Sequence, residues 1–431
     1  VGQGVLSIPG ATLARLAARA GTPVFVYSAE AIRAQYRALE AALAGVPNRI
    51  HYSVKANSSL AVLGLMRDLG AGADIVSGGE LARVLRAGFA PADVVFSGVG
   101  KRGEELAAAV AAGVGLINLE SEGELEALAS VLPSGHPALA VGIRVNPDVT
   151  TETHPYTQTG KSGMKFGVPL DQVLPLALRV AGTRGLELRS LGMHIGSQIG
   201  SAEPYRCGTE RLLELVAAVR HRGITSLTTV DVGGGLAIDY GNGGALDPAA
   251  FGAAVAPLAR STGLTLLVEP GRFLVGNAGV LLTRVLYHKR SGGREILITD
   301  AGMNDFMRPS LYQAHHEICV VDDGPIVLDP SRSGTIGAPA AEGVSVDIVG
   351  PNCESGDFLA LGRRMRLVPP GALLAVLGAG AYGFGMSSNY NSRPRAAEVL
   401  LEGGRFGVIR ERERPEDLMR GETPSPRWES A

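Results

Sequence analysis

Ile50-His51-Tyr52-Ser53-Val54-Lys55-Ala56-Asn57 is the stretch that decides the fold. Its apolar, β-branched residues suit a short buried strand, and the strand stops on a lysine. An ammonium is costly to desolvate, so a lysine at the mouth of a buried strand is expected to have a lowered pKa and an accessible neutral amine. Imine formation needs that amine. Taken alone, the strand leaves another reading open: a lysine that snorkels to solvent or pairs with a carboxylate.

Outward from this strand a rhythm runs through to about residue 275. Apolar runs alternate with stretches of Ala, Leu, Arg and Glu at helical spacing. Eight such runs stand out: Ile50–Val54, Ala73–Val76, Val94–Phe96, Leu116–Leu119, Ala140–Val145, Leu191–Ile195, Thr229–Val232 and Leu264–Val268. Strands alternating with helices imply parallel βα units. Eight of them in about 250 residues predict a closed, TIM-like (β/α)8 barrel, with a doubly wound open sheet as the alternative. Ser77-Gly-Gly-Glu80 and Ser121-Glu-Gly-Glu124 have the form of helix capping boxes. After about residue 280 the helices nearly vanish. Runs such as Val280–Leu286, Glu295–Thr299, Ile318–Val321, Val344–Val349 and Leu373–Val376 predict a β domain, barrel-like or sandwich-like. The charge-dense tail from Arg410 reads as a peripheral helix or frayed end.

Bulk properties narrow the function. The chain has 431 residues, 45% hydrophobic content and a formal net charge of −2, which suits two domains with a large core and argues against a nucleic-acid binder. Cys207, Cys319 and Cys353 are scattered and odd in number, so neither a disulfide framework nor a zinc site is expected, and a reducing cytoplasm is favoured. No uncharged apolar run is long enough to span a bilayer, and without a basic segment followed by an apolar one at the start of the sequence a secretory signal is not expected.

Special residues fall at the C-terminal ends of successive strands. They are Lys55; Asp74 and Ser77; Ser97; Asn118 and Glu120; Arg144 and Asn146; His194, Ser197 and Gln198; Gly233-Gly234-Gly235; and Glu269-Pro270-Gly271-Arg272. In barrel enzymes that rim carries the active site, often with a phosphate bound after strands seven and eight. Consecutive glycines let backbone N–H groups approach an anion. A phosphate site, a lysine and a carboxylate on one rim suggest pyridoxal 5'-phosphate. Lys55 would hold the aldehyde carbon, Glu269 would face the pyridine nitrogen, His194 would lie over the ring and Ser197 would add a hydroxyl to the phosphate. His315 and His316 have no metal-ligand context and read as structural or surface residues; no metal is expected.

The motifs Tyr52-Ser-Val-Lys-Ala-Asn57, Thr153-His-Pro-Tyr156, Lys165-Phe-Gly167, His194-Ile-Gly-Ser-Gln198, Asp231-Val-Gly-Gly-Gly235 and Glu269-Pro-Gly-Arg272 run in order along the chain. Asp300-Ala-Gly-Met-Asn304, Arg308-Pro-Ser-Leu-Tyr312, Gly350-Pro-Asn-Cys-Glu-Ser-Gly-Asp357 and Gly378-Ala-Gly-Ala-Tyr382 follow. Together they resemble the fold-type III pyridoxal-phosphate decarboxylases, and within them the diaminopimelate decarboxylase family. Thr153–Tyr156 and Lys165–Gly167 favour diaminopimelate over ornithine or arginine. Leu236-Ala237 departs from the family pattern, where a further glycine is common.

The resemblance implies the remaining assignments. Residues 31–279 would form the cofactor-binding barrel, and 1–30 with 280–431 the β domain. Lys55, Asp74, His194, Ser197, Gly234, Gly235, Glu269, Gly271, Arg272 and Tyr382 would hold the cofactor. Arg272, Arg308, Tyr312, Glu354 and Tyr382 would hold the substrate. Lys55, His194 and Cys353 would be catalytic, with Cys353 and Glu354 reaching into the partner subunit's site in a homodimer. The implied reaction is decarboxylation of meso-2,6-diaminopimelate to L-lysine and carbon dioxide, the last step of lysine biosynthesis. Its rivals are a decarboxylase of ornithine or arginine, a barrel racemase, a non-catalytic cofactor-binding barrel and a plain phosphate-binding barrel.

Overall fold

The computed structural model describes residues 6–149, 163–241, 243–329, 332–333 and 343–429. Eight strands form the barrel: β1 (Asn48–Ser53), β2 (Gly72–Ile75), β3 (Val94–Phe96), β4 (Leu116–Leu119), β5 (Leu139–Asn146), β6 (Leu186–Met193), β7 (Thr229–Asp231) and β8 (Thr265–Val268). Each pairs in parallel with the next, and β8 pairs with β1, so the sheet closes. The open-sheet alternative is excluded. Alternation along the strands splits the core. Val94 and Phe96 face the helices, while Val95 joins Leu116 and Leu267 in a separate cluster filling the barrel.

The first strand ends earlier than expected. Ser53 is its last residue, and Val54–Ala56 form one turn of 3-10 helix that carries Lys55. The turn forms where the chain meets the loop after β8: the Ser53 N–H donates to the Pro270 carbonyl (3.1 Å), and Ser53 Oγ lies 3.0 Å from the Glu269 carbonyl. The caps also differ in detail. Ser77 and Ser121 accept from the N–H groups of Glu80 and Glu124, both at 3.2 Å. The two glutamates, however, bond the N–H groups of Val76 and Glu120, one residue before each serine.

The second domain is built on a long strand, Gly279–Ser291, flanked by Val24–Ser28, Arg294–Thr299 and Leu373–Val376. Val24–Ser28 comes from the N-terminal region and is buried along its whole length. Its period of two explains this: Val24 and Val26 enter the core of the second domain, whereas Phe25 and Tyr27 join the larger core shared with the barrel. The sheet also holds strands not anticipated from sequence, Phe358–Met365, Ala397–Glu402 and Arg405–Arg410. Arg410 therefore ends a strand instead of starting the tail, which then forms one short exposed helix, Pro415–Leu418.

Candidate active site

Lys55 lies at the open end of the barrel, in a cavity of about 630 Å³ that it shares with His194, Ser197, Glu269, Arg272 and Tyr382. Its side chain is 36% exposed, all of it deep inside the molecule, and its amine lies 3.3 Å from Asp74 Oδ2. The expected fall in its pKa is not found. Desolvation by burial does act to lower it, but Asp74, Tyr382 and Glu269 together outweigh that, and the net direction is upward. The carboxylate-paired alternative describes the free amine. Ser53 Oγ donates to the same Asp74 oxygen at 2.7 Å, which holds that carboxylate under the lysine.

Glu269 and Asp231 form a pair of buried carboxyls at the ends of β8 and β7. Desolvation pushes Glu269 well above the usual carboxyl range, reinforced by Asp231 and Asp74. Asp231 is pushed up to about 7, again chiefly by burial, although it accepts the Gly233 N–H at 2.7 Å. His194 accepts the Gly234 N–H on Nδ1 at 3.2 Å, so the proton of the neutral ring sits on Nε2. Burial, then Arg144 and Lys55, keep that ring neutral by driving its pKa well down. The glycines are needed for packing as much as for anion approach. A Cβ at Gly234 would overlap the Glu269 carbonyl, and Gly235 holds φ +97 against the Gly196 carbonyl.

The far wall is cationic. Arg272 Nη1 donates to Tyr240 Oη (2.6 Å) and Nη2 to Ser197 Oγ (3.0 Å). Its guanidinium stacks 4.7 Å from the Tyr382 ring. Arg308 lies over Tyr240 at 5.0 Å and Tyr312 at 5.9 Å. Both arginines are buried, and among the described residues neither has a carboxylate partner. Tyr382 arrives from the second domain with φ +55, its N–H bonded to the Ala56 carbonyl at 2.8 Å, next to Lys55. Lys55, His194 and Glu269 also border a smaller cavity of about 380 Å³ in the barrel mouth, lined by Asn118, Arg144 and Asp231.

Comparison with known proteins agrees with this geometry. Residues 29–276 match the family model described as "Pyridoxal-dependent decarboxylase, pyridoxal binding domain". Diaminopimelate decarboxylase of Pseudomonas aeruginosa is 46% identical over 97% of this chain and 96% of its own length. That of Aquifex aeolicus is 41% identical over 95% of this chain and 94% of its own. The crystal structure of the Helicobacter pylori enzyme complexed with L-lysine is 36% identical, with TM-score 0.87, covering 95% of this chain and 98% of that one. The chain belongs to the diaminopimelate decarboxylase family.

This family depends on pyridoxal phosphate, and the residues fit that group. Glu269 Oε1 is buried without a hydrogen-bond partner, as a pyridine nitrogen would require. A lysine amine opens into the same cavity, and Arg272 lies at the Ser197 end with no carboxylate partner among the described residues. Cys353 and Glu354 do not line this cavity. Both are exposed on a loop of their own chain. The Lys165–Gly167 segment packs over the rim: Gly167 N–H donates to Glu120 Oε2 at 3.0 Å, and Arg144 stacks 4.9 Å from Phe166. Thr153–Tyr156 lies outside the described residues.

Three residues that line these cavities carry no role in the sequence analysis: Asp231, Tyr240 and His315. Asp231 had a signal, since it heads the triple-glycine motif at a strand end. Tyr240 had none, lying in a loop. His316, expected to be structural or surface, is buried against Arg308 at 3.2 Å. Among the described residues no cluster of metal-binding side chains is present, and no helix is long and apolar enough to cross a membrane.

Proposed function

We propose that the protein decarboxylates meso-2,6-diaminopimelate to L-lysine and carbon dioxide, the last step of lysine biosynthesis, in the cytoplasm. The observation that carries this reading is the wall of two buried arginines beside Lys55, neither with a carboxylate partner among the described residues. A buried uncompensated guanidinium is costly, so the ligand is expected to supply the anions. One phosphate and one carboxylate satisfy both, and a substrate with a carboxylate at each end leaves the other free to react.

Pyridoxal phosphate, when bound, supplies an electron sink for the carbanion left after loss of carbon dioxide. The chain's own residues do the rest. Lys55, whose side chain lines the cavity, would hold the cofactor through its amine. Arg272, Ser197, Gly234, Gly235, Gly271 and Tyr382 grip its phosphate. Glu269, whose carboxyl is pushed well above the usual range by burial, would hold the pyridine nitrogen and could supply it with a proton. Asp74 balances the lysine ammonium, and neutral His194 would lie against the cofactor. Arg308 and Tyr312 take the distal carboxylate. In this reading residues 31–279 are the cofactor-binding barrel, and 1–30 with 280–431 form the β domain. The exposed loop then delivers Cys353 and Glu354 of the partner subunit to this cavity, making the homodimer obligatory. Cys353 of the partner subunit donates the proton to the α-carbon, and the partner's Glu354 reads the distal ammonium.

A carbon dioxide release assay across meso-diaminopimelate, ornithine, arginine and lysine, with and without added cofactor, tests the reading. Release from the first substrate alone is expected. Borohydride reduction and digestion should place the pyridoxyl group on Lys55, and Lys55→Ala should lose both the tag and turnover. A tag elsewhere, or an active Lys55→Ala, refutes the scheme.

A further inference from the structure

We propose that His316 is a positioning residue that aims Arg308 at a carboxylate of the substrate, an inference that rests on the functional reading above. Arg308 opens a short helix, Arg308–Tyr312, and the chain then turns back through Gln313 at φ +51. That reversal lays His316 beneath the arginine, and Arg308 Nε–H donates to His316 Nε2 at 3.2 Å. The other ring nitrogen, Nδ1, lies 2.8 Å from the Leu377 carbonyl. A carbonyl only accepts, so Nδ1 carries the proton and Nε2 is left as an acceptor. The tautomer is therefore set by the backbone just before the loop that carries Tyr382.

The ring cannot swing away. It is 1% exposed and wedged edge-on between Tyr240 (centroids 4.8 Å apart) and Phe306 (4.6 Å). Burial, then the neighbouring Arg308 charge, hold its pKa well below the ordinary histidine value, so the acceptor persists. With Nε engaged and the guanidinium plane against Tyr240, the two Nη groups of Arg308 have no hydrogen-bond partner among the described residues. Arg308 lines the cavity that holds Lys55. A guanidinium fixed through Nε presents its Nη edge, which is the geometry for a bidentate carboxylate.

Two substitutions separate the halves of this network. H316Q places a carbonyl near the Nε2 position and keeps an acceptor for Arg308. H316N places its amide near the Nδ1 position, keeps the donor to Leu377 and cannot reach Arg308. With the holoenzyme, H316N is expected to raise KM for meso-diaminopimelate by about tenfold, with kcat changed less, while H316Q stays near the parent. L-lysine binding, measured by calorimetry, should weaken by a similar factor in H316N. Cadaverine, which lacks the carboxylate, should bind all three proteins alike. A purely structural role would lower the melting temperature without separating lysine from cadaverine. Should H316N fail to fold, H316M removes the acceptor with an apolar chain of similar length. An active parent whose H316N variant binds L-lysine normally, or whose H316Q and H316N variants fail equally, overturns the inference. A parent that releases no carbon dioxide from meso-diaminopimelate sinks the functional reading and the carboxylate role of Arg308 with it.

Discussion

His51 and Lys55 lie in one short segment and show how strongly neighbours decide a charge. Burial works against the cation at both. At Lys55 the Asp74 carboxylate wins, and the ammonium is favoured. At His51 burial wins over the more distant pull of Asp74, and the pKa is pushed down to about 4. The sign of the consequence follows. Below the ordinary histidine value of about 6.5 the unfolded chain takes up a proton that the fold refuses until about pH 4. Stability from this residue is therefore complete above pH 6.5 and lost as the pH falls through that window, by about 3 kcal/mol. The raised pKa of Asp231 acts in the opposite direction over the same range, so the comparison must be made against a variant. The loss of denaturant stability between pH 7 and 4.5 should be smaller in His51→Gln than in the parent. Parallel losses would contradict the assignment.

At the scale of elements, the loop from Gly350 to Asp357 is not free despite the exposure of Cys353 and Glu354. The buried Asp357 carboxylate accepts the N–H groups of Met303 (2.5 Å) and Asn352 (2.6 Å). Asn352 Nδ2 donates to Asn304 Oδ1 at 2.8 Å, and Ser310 Oγ donates to the Gly356 carbonyl at 2.5 Å. The motifs around 300, 308 and 350, remote in sequence, thus form one anchored platform. Asp357→Ala leaves two backbone donors without their acceptor and is expected to cost about 2–4 kcal/mol, read by urea unfolding. Asp357→Asn, which keeps the shape and one acceptor oxygen, should cost less. Equal stability of parent and Asp357→Ala would show that the platform does not depend on this carboxylate.

At the scale of the whole molecule, the cavity of one chain is furnished by both of its domains. Tyr382 and Arg308 come from the second domain, and Asn57 at the end of the lysine turn bonds the Gly380 carbonyl at 3.1 Å. Cys353 is exposed and does not line that cavity. A shared site between two copies predicts complementation. Lys55→Ala and Cys353→Ala proteins, each inactive alone, should regain activity when mixed and allowed to exchange subunits. Random pairing leaves one intact site in each mixed dimer, or roughly a quarter of the parent's sites. If the mixture stays inactive while exchange is shown by mass, the partner role of Cys353 falls.

Local pattern was enough to announce the barrel, because period-two burial and helix caps are properties of neighbouring residues. All eight barrel strands appear close to their predicted places, and polar residues at their ends, Lys55, Asn118, Arg144, His194 and Glu269 among them, line the two cavities. Strands such as Phe358–Met365 escaped notice because charged and exposed positions interrupt their apolar pattern. The triple glycine pointed to an anion approached by backbone N–H groups; the structure adds the Glu269 and Gly196 carbonyls, which leave no room for a Cβ there. What the sequence determined by itself was the barrel, its rim and the residue types gathered there. Only the tertiary structure decided the electrostatics, including the direction of the Lys55 shift, the Asp231–Glu269 pair and the hold of His316 on Arg308. These depend on which charges and carbonyls meet across β1 and β2, across β7 and β8, or across a chain reversal, and burial amplifies each meeting in a way that spacing along the chain does not encode.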